Sequence, residues 1–354
     1  MTARLYRTLC TFLLPALLGC FAGPAVHAET VSDLYTATVP VAQRSDAALA
    51  EAATEAMSQV MIKLSGSDAV LSYPGVQAAL PGARALVQQY AYEGGQGAEP
   101  LQARIAFDAA AMSRVITDAG APLWTANRPA TLAWIVLEDA GGRRFLTPDT
   151  DPELAAALLA AFNQRGVPLK FPLFDLTDAT AVSTEEVWRF DSVVLQSASA
   201  RYGAGDVLAG RFAVLSSGEW LGDWTYIADR RQRNRTVNVS PDQGLFVAAA
   251  DLVAADMASR YAVTVSSNAA SGGIAMQVDG ITSYSDYAGV VSWLEGLELI
   301  RHANVESVSG DRIILRLDAS APAQQLAIII ELNDSLVPAP VANADGGLYY
   351  LWQR

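Results

Sequence analysis

The sequence predicts a multi-domain α+β protein, with mixed α/β sheet domains and a C-terminal ferredoxin-like βαββαβ domain. Three observations predict it. Strand-type and helix-type apolar patterns alternate along the whole chain. A run of small polar residues from Ser266 to Gly273 sets the last stretch apart. That last stretch then reads strand, helix, strand, strand, helix, strand.

The first 28 residues are read separately. Arg4 and Arg7 precede an apolar stretch from Leu9 to Gly19, and Val26 and Ala28 stand three and one residues before a cut at Glu29. This is the order of a secretory signal peptide. The stretch is too short to span a bilayer, which takes about 20 apolar residues. The apolar runs at 131–137 and 326–330 are shorter still, so the mature chain is expected to lack a transmembrane segment. Release into a bacterial periplasm is the first expectation. The second is a lipid anchor on an envelope membrane, because Leu17-Leu18-Gly19-Cys20 offers a lipoprotein-type site at Cys20. Leu18 is an atypical occupant of that pattern.

From Glu29 onward 326 residues remain, enough for two or three domains. Both cysteines, Cys10 and Cys20, precede that point, so the mature chain has no disulfide framework and no thiol nucleophile. His302 is its single histidine, which argues against a Ser-His-Asp triad and against a zinc or iron site. No metal and no cofactor is expected. With Arg4 and Arg7 removed, 22 basic residues face 37 acidic ones, a balance of −15. Such a charge opposes nucleic-acid binding and adhesion to anionic lipid.

The N-terminal α+β domain spans 29–125. A strand at 34–41 leads into a helix whose Ala48, Ala52, Ala56, Val60 and Leu64 repeat with helical period. Ser45 or Asp46 caps it and Gly66 ends it. A second helix is expected over 75–89, then a strand at 101–107 and a helix at 109–119. Gly94-Gly95-Gln96-Gly97 precedes that strand, so it is a connection and not a phosphate loop.

The middle mixed α/β domain spans 126–265. Its strands are expected at 131–137, 167–171, 206–215, 219–228 and 236–240, and its helices at 152–165, 184–200 and 243–261. A linker at 266–273 leads to the C-terminal domain, 274–340. There the strands are expected at 274–280, 302–309, 311–318 and 334–337, with helices at 284–298 and 321–330. Residues 341–354 read as a tail.

Two adjacent features form the candidate partner site. Trp220, Trp224 and Tyr226 share one face of a strand, with Gly222 between the tryptophans. Exposed, they would bind glycan, peptide or protein by stacking; buried, they complete a sheet–helix core. Arg230, Arg231, Arg233 and Arg235 follow as a basic patch on an acidic chain. Guanidinium groups there would grip carboxylates or phosphates, or serve as a solvated hairpin edge that discourages sheet pairing.

No acidic pair makes a catalytic set. Glu185, Glu186 and Asp191 fit helix capping as well as a cleft, and Glu219 and Asp223 fit a solvated strand face. The catalytic residues therefore stay unknown.

Tyr35-Thr36-Ala37-Thr38-Val39-Pro40-Val41 with Arg44, and Val60-Met61-Ile62-Lys63-Leu64-Ser65-Gly66, resemble an exported proteobacterial envelope family, domain of unknown function 2066. Asp206 to Arg211, Gly218-Glu219-Trp220 and the stretch from Tyr287 to Leu317 are similar too. The resemblance implies an envelope protein without an assigned catalytic site. More distantly, the middle domain resembles small α/β domains of periplasmic assembly factors, among them lipoproteins that activate wall synthases and the amino-terminal domain of TolB. The leading expectation is thus a non-enzymatic binding or assembly scaffold, with an envelope protein or a peptidoglycan-associated partner. A carboxylate-dependent hydrolase of wall or glycan material and a small-ligand-binding module are the alternatives.

Overall fold

The computed structural model describes residues 28–95, 100–239, 244–264, 273–332, 335–339 and 347–353. The expected signal peptide with Cys20, but for Ala28, and nearly all of the expected 266–273 linker lie outside the described residues.

The first unit contains β1 (Ala28–Thr30), β2 (Thr36–Pro40) and α1 (Asp46–Ser65). The Ser45 hydroxyl accepts from the Ala48 N–H and satisfies a donor that no helical carbonyl can reach. Gly66 ends α1 in the left-handed region, at φ 74°. A Cβ there would lie 2.3 Å from the Ala258 Cβ, so only glycine allows this close approach. Leu49, Ala53, Met57, Val60 and Leu64 bury the inner face of the helix.

Next come α2 (Pro74–Ala79), a 3-10 segment at Leu80–Leu86 and β3 (Val87–Glu93). The single helix expected over 75–89 is therefore corrected. Pro81 has no N–H to continue an α-helical ladder, and the chain tightens and then extends. β4 (Gln102–Phe107), α3 (Ala109–Asp118) and β5 (Pro122–Leu123) complete the unit, whose main sheet has the order β2-β4-β3.

The second unit opens with β6 (Asn127–Pro129), paired with β1, and continues through β7 (Thr131–Asp139), β8 (Gly142–Phe145), α4 (Pro152–Arg165) and β9 (Leu169–Lys170). Three short helices follow: α5 (Leu176–Ala181), α6 (Thr184–Trp188) and α7 (Ser192–Ser199). The one helix expected over 184–200 is two, because Phe190 turns left-handed at φ 54° and Asp191 caps a new start. β10 (Asp206–Val214), β11 (Trp220–Ala228), β12 (Arg231–Val239), α8 (Leu245–Tyr261) and β13 (Val263–Thr264) finish the unit.

Its sheet runs β12-β11-β10-β7-β8, with β9 also on β7; the β10–β7 and β9–β7 pairs are parallel. Helices cover both faces. Ala133, Ile135 and Leu137 pack toward α4 and α8, while Leu132, Trp134 and Val136 pack toward the α5–α7 layer. Burial on both sides explains why β7 reads as a continuous apolar run.

The third unit is β14 (Ile274–Asp279), α9 (Tyr284–Glu295), β15 (Ile300–Ser309), β16 (Arg312–Ala319), α10 (Ala323–Ile330), β17 (Leu336–Pro338) and β18 (Leu348–Trp352). Its sheet order is β15-β16-β14-β18-β17, and this corrects the ferredoxin-like expectation. β18 runs parallel to β14 and separates it from β17. A βαββαβ fold would place the strand after its second helix directly on the first strand. Leu348 to Trp352, read from sequence as tail, takes that place instead.

The molecule is thus a multi-domain mixed α/β protein with several sheets. Buried side chains of the first and third units join in one cluster. The Glu298 Oε1 accepts from the Ala126 N–H at 3.0 Å, linking the third unit to the junction between the first two.

Candidate functional site

Strand alternation sends Trp220, Trp224 and Tyr226 to the face of β11 covered by α8. They are only 6%, 0% and 1% exposed. The Trp224 Nε1 donates to the Leu245 carbonyl at 3.0 Å, and its ring sits 4.8 Å from that of Phe212. A Cβ at Gly222 would fall 1.9 Å from the Arg211 carbonyl, so glycine permits this packing. The three rings complete a sheet–helix core and offer no stacking face to a partner.

The arginines follow from the hairpin. Asp229 and Arg230 form its two-residue turn, at φ 46° and 60°, the left-handed pair that matches strand twist. In register, Arg233 lies opposite Tyr226 and Arg235 opposite Trp224. Both reach over the sheet edge to α8: Arg233 to Asp256 at 3.3 Å, and Arg235 to the Ala248 carbonyl at 3.0 Å. Arg231 lies 3.8 Å from Asp229. Arg230 has no ion-pair partner among the described residues. The patch therefore splits, with two arginines roofing the aromatic core and two marking the turn.

Those two border another surface. A concavity of about 360 Å³ lies between the turn and α7, lined by Ser192, Val193, Gln196, Ile227, Arg230 and Arg231. On the other side of α7 a second one, about 490 Å³, includes Thr177, Val193 and Arg201. Val193 belongs to both and is 76% exposed; Leu173 and Leu176, beside and on α5, are 72% and 81% exposed. Arg201 is anchored by Asp175 at 2.8 Å and by the buried Asp178 at 2.9 Å. The Arg201 guanidinium, with the backbone N–H of Asp178, holds the Asp175 carboxyl well below the usual range.

Backbone strain gathers on the same layer. The non-glycine residues with positive φ among those described are Phe174, Phe190, Asp229 and Arg230. The first precedes α5, the second separates α6 from α7, and the last two form the adjoining turn. Such conformations cost about 1–3 kcal/mol each and cluster at ligand clamps and switch regions.

The acidic residues do not assemble a catalytic pair. Glu186 closes a capping box with Ser183, Glu185 binds Arg143, and Asp191 caps α7. Asp223 binds Arg211 at 2.7 Å and Thr236. His302 is exposed on β15. Asp206 accepts from the Tyr226 hydroxyl at 2.6 Å and from Arg260 at 3.0 Å. Burial raises its pKa, against the opposing pull of Arg260. This group is closed: Asp206 is 3% exposed, and Arg260 also binds Asp229. Among the described residues no cluster of His, Cys, Asp or Glu could hold a metal ion, and no helix is long and apolar enough to cross a membrane.

Two buried cations escaped the sequence reading. Arg128 is fully buried, and its five N–H groups meet the carbonyls of Thr125, Arg165, Gly166, Lys63 and Trp124 at 2.8–3.3 Å. Lys63 is 7% exposed, and its ammonium donates to the Thr36 carbonyl at 2.7 Å. Burial pulls its pKa down to about 8, and Asp33 only partly offsets this. No pattern of neighbours in the sequence marks either position, since their partners are backbone carbonyls.

Residues 28–125 match the model of a domain of unknown function, DUF8605. This overturns the resemblance to domain of unknown function 2066, because the matching model is a different one. No curated protein matches. Among solved structures, one described as "Crystal structure of uncharacterized protein" shares 10% identity, covering 37% of this chain and 90% of its own, with a TM-score of 0.18.

Proposed function

We propose that this chain is a non-enzymatic binding or assembly protein of the bacterial envelope, acting in the periplasm and engaging a protein partner through the α7 face. The observation that carries this reading is Val193, exposed on a helix between two concavities. An isolated exposed valine needs no explanation, but Leu173 and Leu176, before and on the α5 that shares a concavity with Val193, are exposed too, and Arg230, Arg231 and Arg201 line the two concavities. An apolar centre with an arginine rim suits an acidic segment carrying apolar anchors. The left-handed residues around the face add to this reading, since strained backbone is retained at binding sites more often than elsewhere.

The test is affinity capture after crosslinking in the native cells, comparing wild type with Val193→Glu and with Arg230→Glu plus Arg231→Glu. Loss of the same envelope protein from both variants, with folding intact, supports the α7 face. Equal recovery of every partner rules the face out.

A further inference from the structure

A separate cavity of about 290 Å³ lies between the first two units, where β2, β4 and α1 face α4, with Val31, Ala37 and Ala160 among its apolar lining. Lys63, Gln59, Arg104, Asp33, Asn163 and Gln164 contribute to its lining. Lys63 supplies a cation with no carboxylate within ion-pair distance among the described residues. Among the described residues its three N–H groups meet the Thr36 carbonyl at 2.7 Å and the Asp33 carbonyl at 3.4 Å and no other acceptor. The Asp33 side chain is turned to Arg104 instead, at 3.0 Å.

The amides of Gln59, Asn163 and Gln164 have no protein hydrogen-bond partner among the described residues; Gln59 is half-buried, and Asn163 and Gln164 are exposed at the mouth of the cavity. A primary amide offers both a donor and an acceptor, the complement of a peptide group. With Arg104 paired to Asp33, the Lys63 ammonium is the one cation of the lining left without a carboxylate, and beside three such amides it matches one carboxylate attached to peptide-type amides. The Asp33 carboxylate disfavours a dianion, and the cavity is at the small end for organic ligands.

The geometry points to a binding site for a small peptide-like carboxylate, such as a short peptide bearing a free C-terminus. Lys63 meets the carboxylate there, and Gln59, Asn163 and Gln164 read the amide groups. This site is independent of the α7 face, and either can fail alone.

The experiment is isothermal titration of the full chain with N-acetyl-alanyl-alanine, with its C-terminal amide and with inorganic phosphate as comparators. The expected result is saturable one-to-one binding of the free acid, weakened about tenfold or more in the amide. Lys63→Met should weaken it by a similar factor. Gln59→Leu and Asn163→Leu, which leave the Lys63 hydrogen bonds in place, should each weaken it several-fold without lowering the melting temperature. Absence of saturable binding at millimolar acid, equal binding of acid and amide, tighter binding of phosphate, or unchanged affinity in both Gln59→Leu and Asn163→Leu would each overturn the assignment.

Discussion

The Arg128 Nη2 donates to the Lys63 carbonyl at 2.8 Å and so joins the second unit to the last turn of α1. The same guanidinium holds the carbonyls of Arg165 and Gly166 where α4 ends. A cation thus sits at the negative ends of two helices, where it satisfies carbonyls that have no intrahelical donor. Trp124 stacks on it, with the guanidinium carbon 3.7 Å from the ring centroid.

Removing this clamp leaves several buried carbonyls without donors. Arg128→Met is expected to destabilise the protein by about 3–5 kcal/mol in urea unfolding. Arg128→Lys should recover only part of that, because three donors replace five.

Lys63 makes stability depend on pH. Its folded pKa of about 8 lies below the ordinary 10.5, so between these values the unfolded chain holds a proton that the folded chain has released. This contribution is fully present above pH 10.5 and is lost as pH falls through about 8. It amounts to about 3 kcal/mol by linkage. The stability difference between wild type and Lys63→Met, measured by denaturant titration across that range, should rise with pH in favour of wild type. A flat difference would show that Lys63 is not depressed.

The hairpin turn separates stability from binding. Arg230→Gly relieves a left-handed non-glycine residue and should raise stability by about 1–2 kcal/mol in thermal or urea unfolding. The same change removes a cation from the α7 rim, so capture of the partner should weaken.

Core and surface substitutions should diverge as well. Trp224→Ala opens a cavity and should cost about 3–5 kcal/mol. Val193→Glu, at a 76% exposed position, should change stability by less than about 0.5 kcal/mol. Urea midpoints of the two variants decide this.

The long elements were legible in the sequence because their signals are local. Ser45 and Gly66 bracket α1, and the alternation in β11 places Trp220, Trp224 and Tyr226 on one face. What sequence missed depends on distant partners. β3 is an exposed edge strand without a clear apolar alternation, and β18 is defined by its pairing with β14, about seventy positions earlier in the chain. The candidate site was half legible. The arginine cluster stood out, but its division between the α8 roof and the α7 rim follows from register in β12. Val193, Lys63 and Arg128 have no local signature, because exposure and carbonyl caging are properties of the folded chain.

The most direct test of the partner-binding account places a photo-crosslinking amino acid at position 193 and, in a second variant, at position 308. Val308 is 61% exposed on β15 of the third unit and serves as the comparison surface. A discrete adduct with one protein is expected from position 193, absent from position 308 and lost when Arg230 and Arg231 are changed to Glu. The same adducts from both positions, or none from 193 in folded protein, would rule the α7 face out.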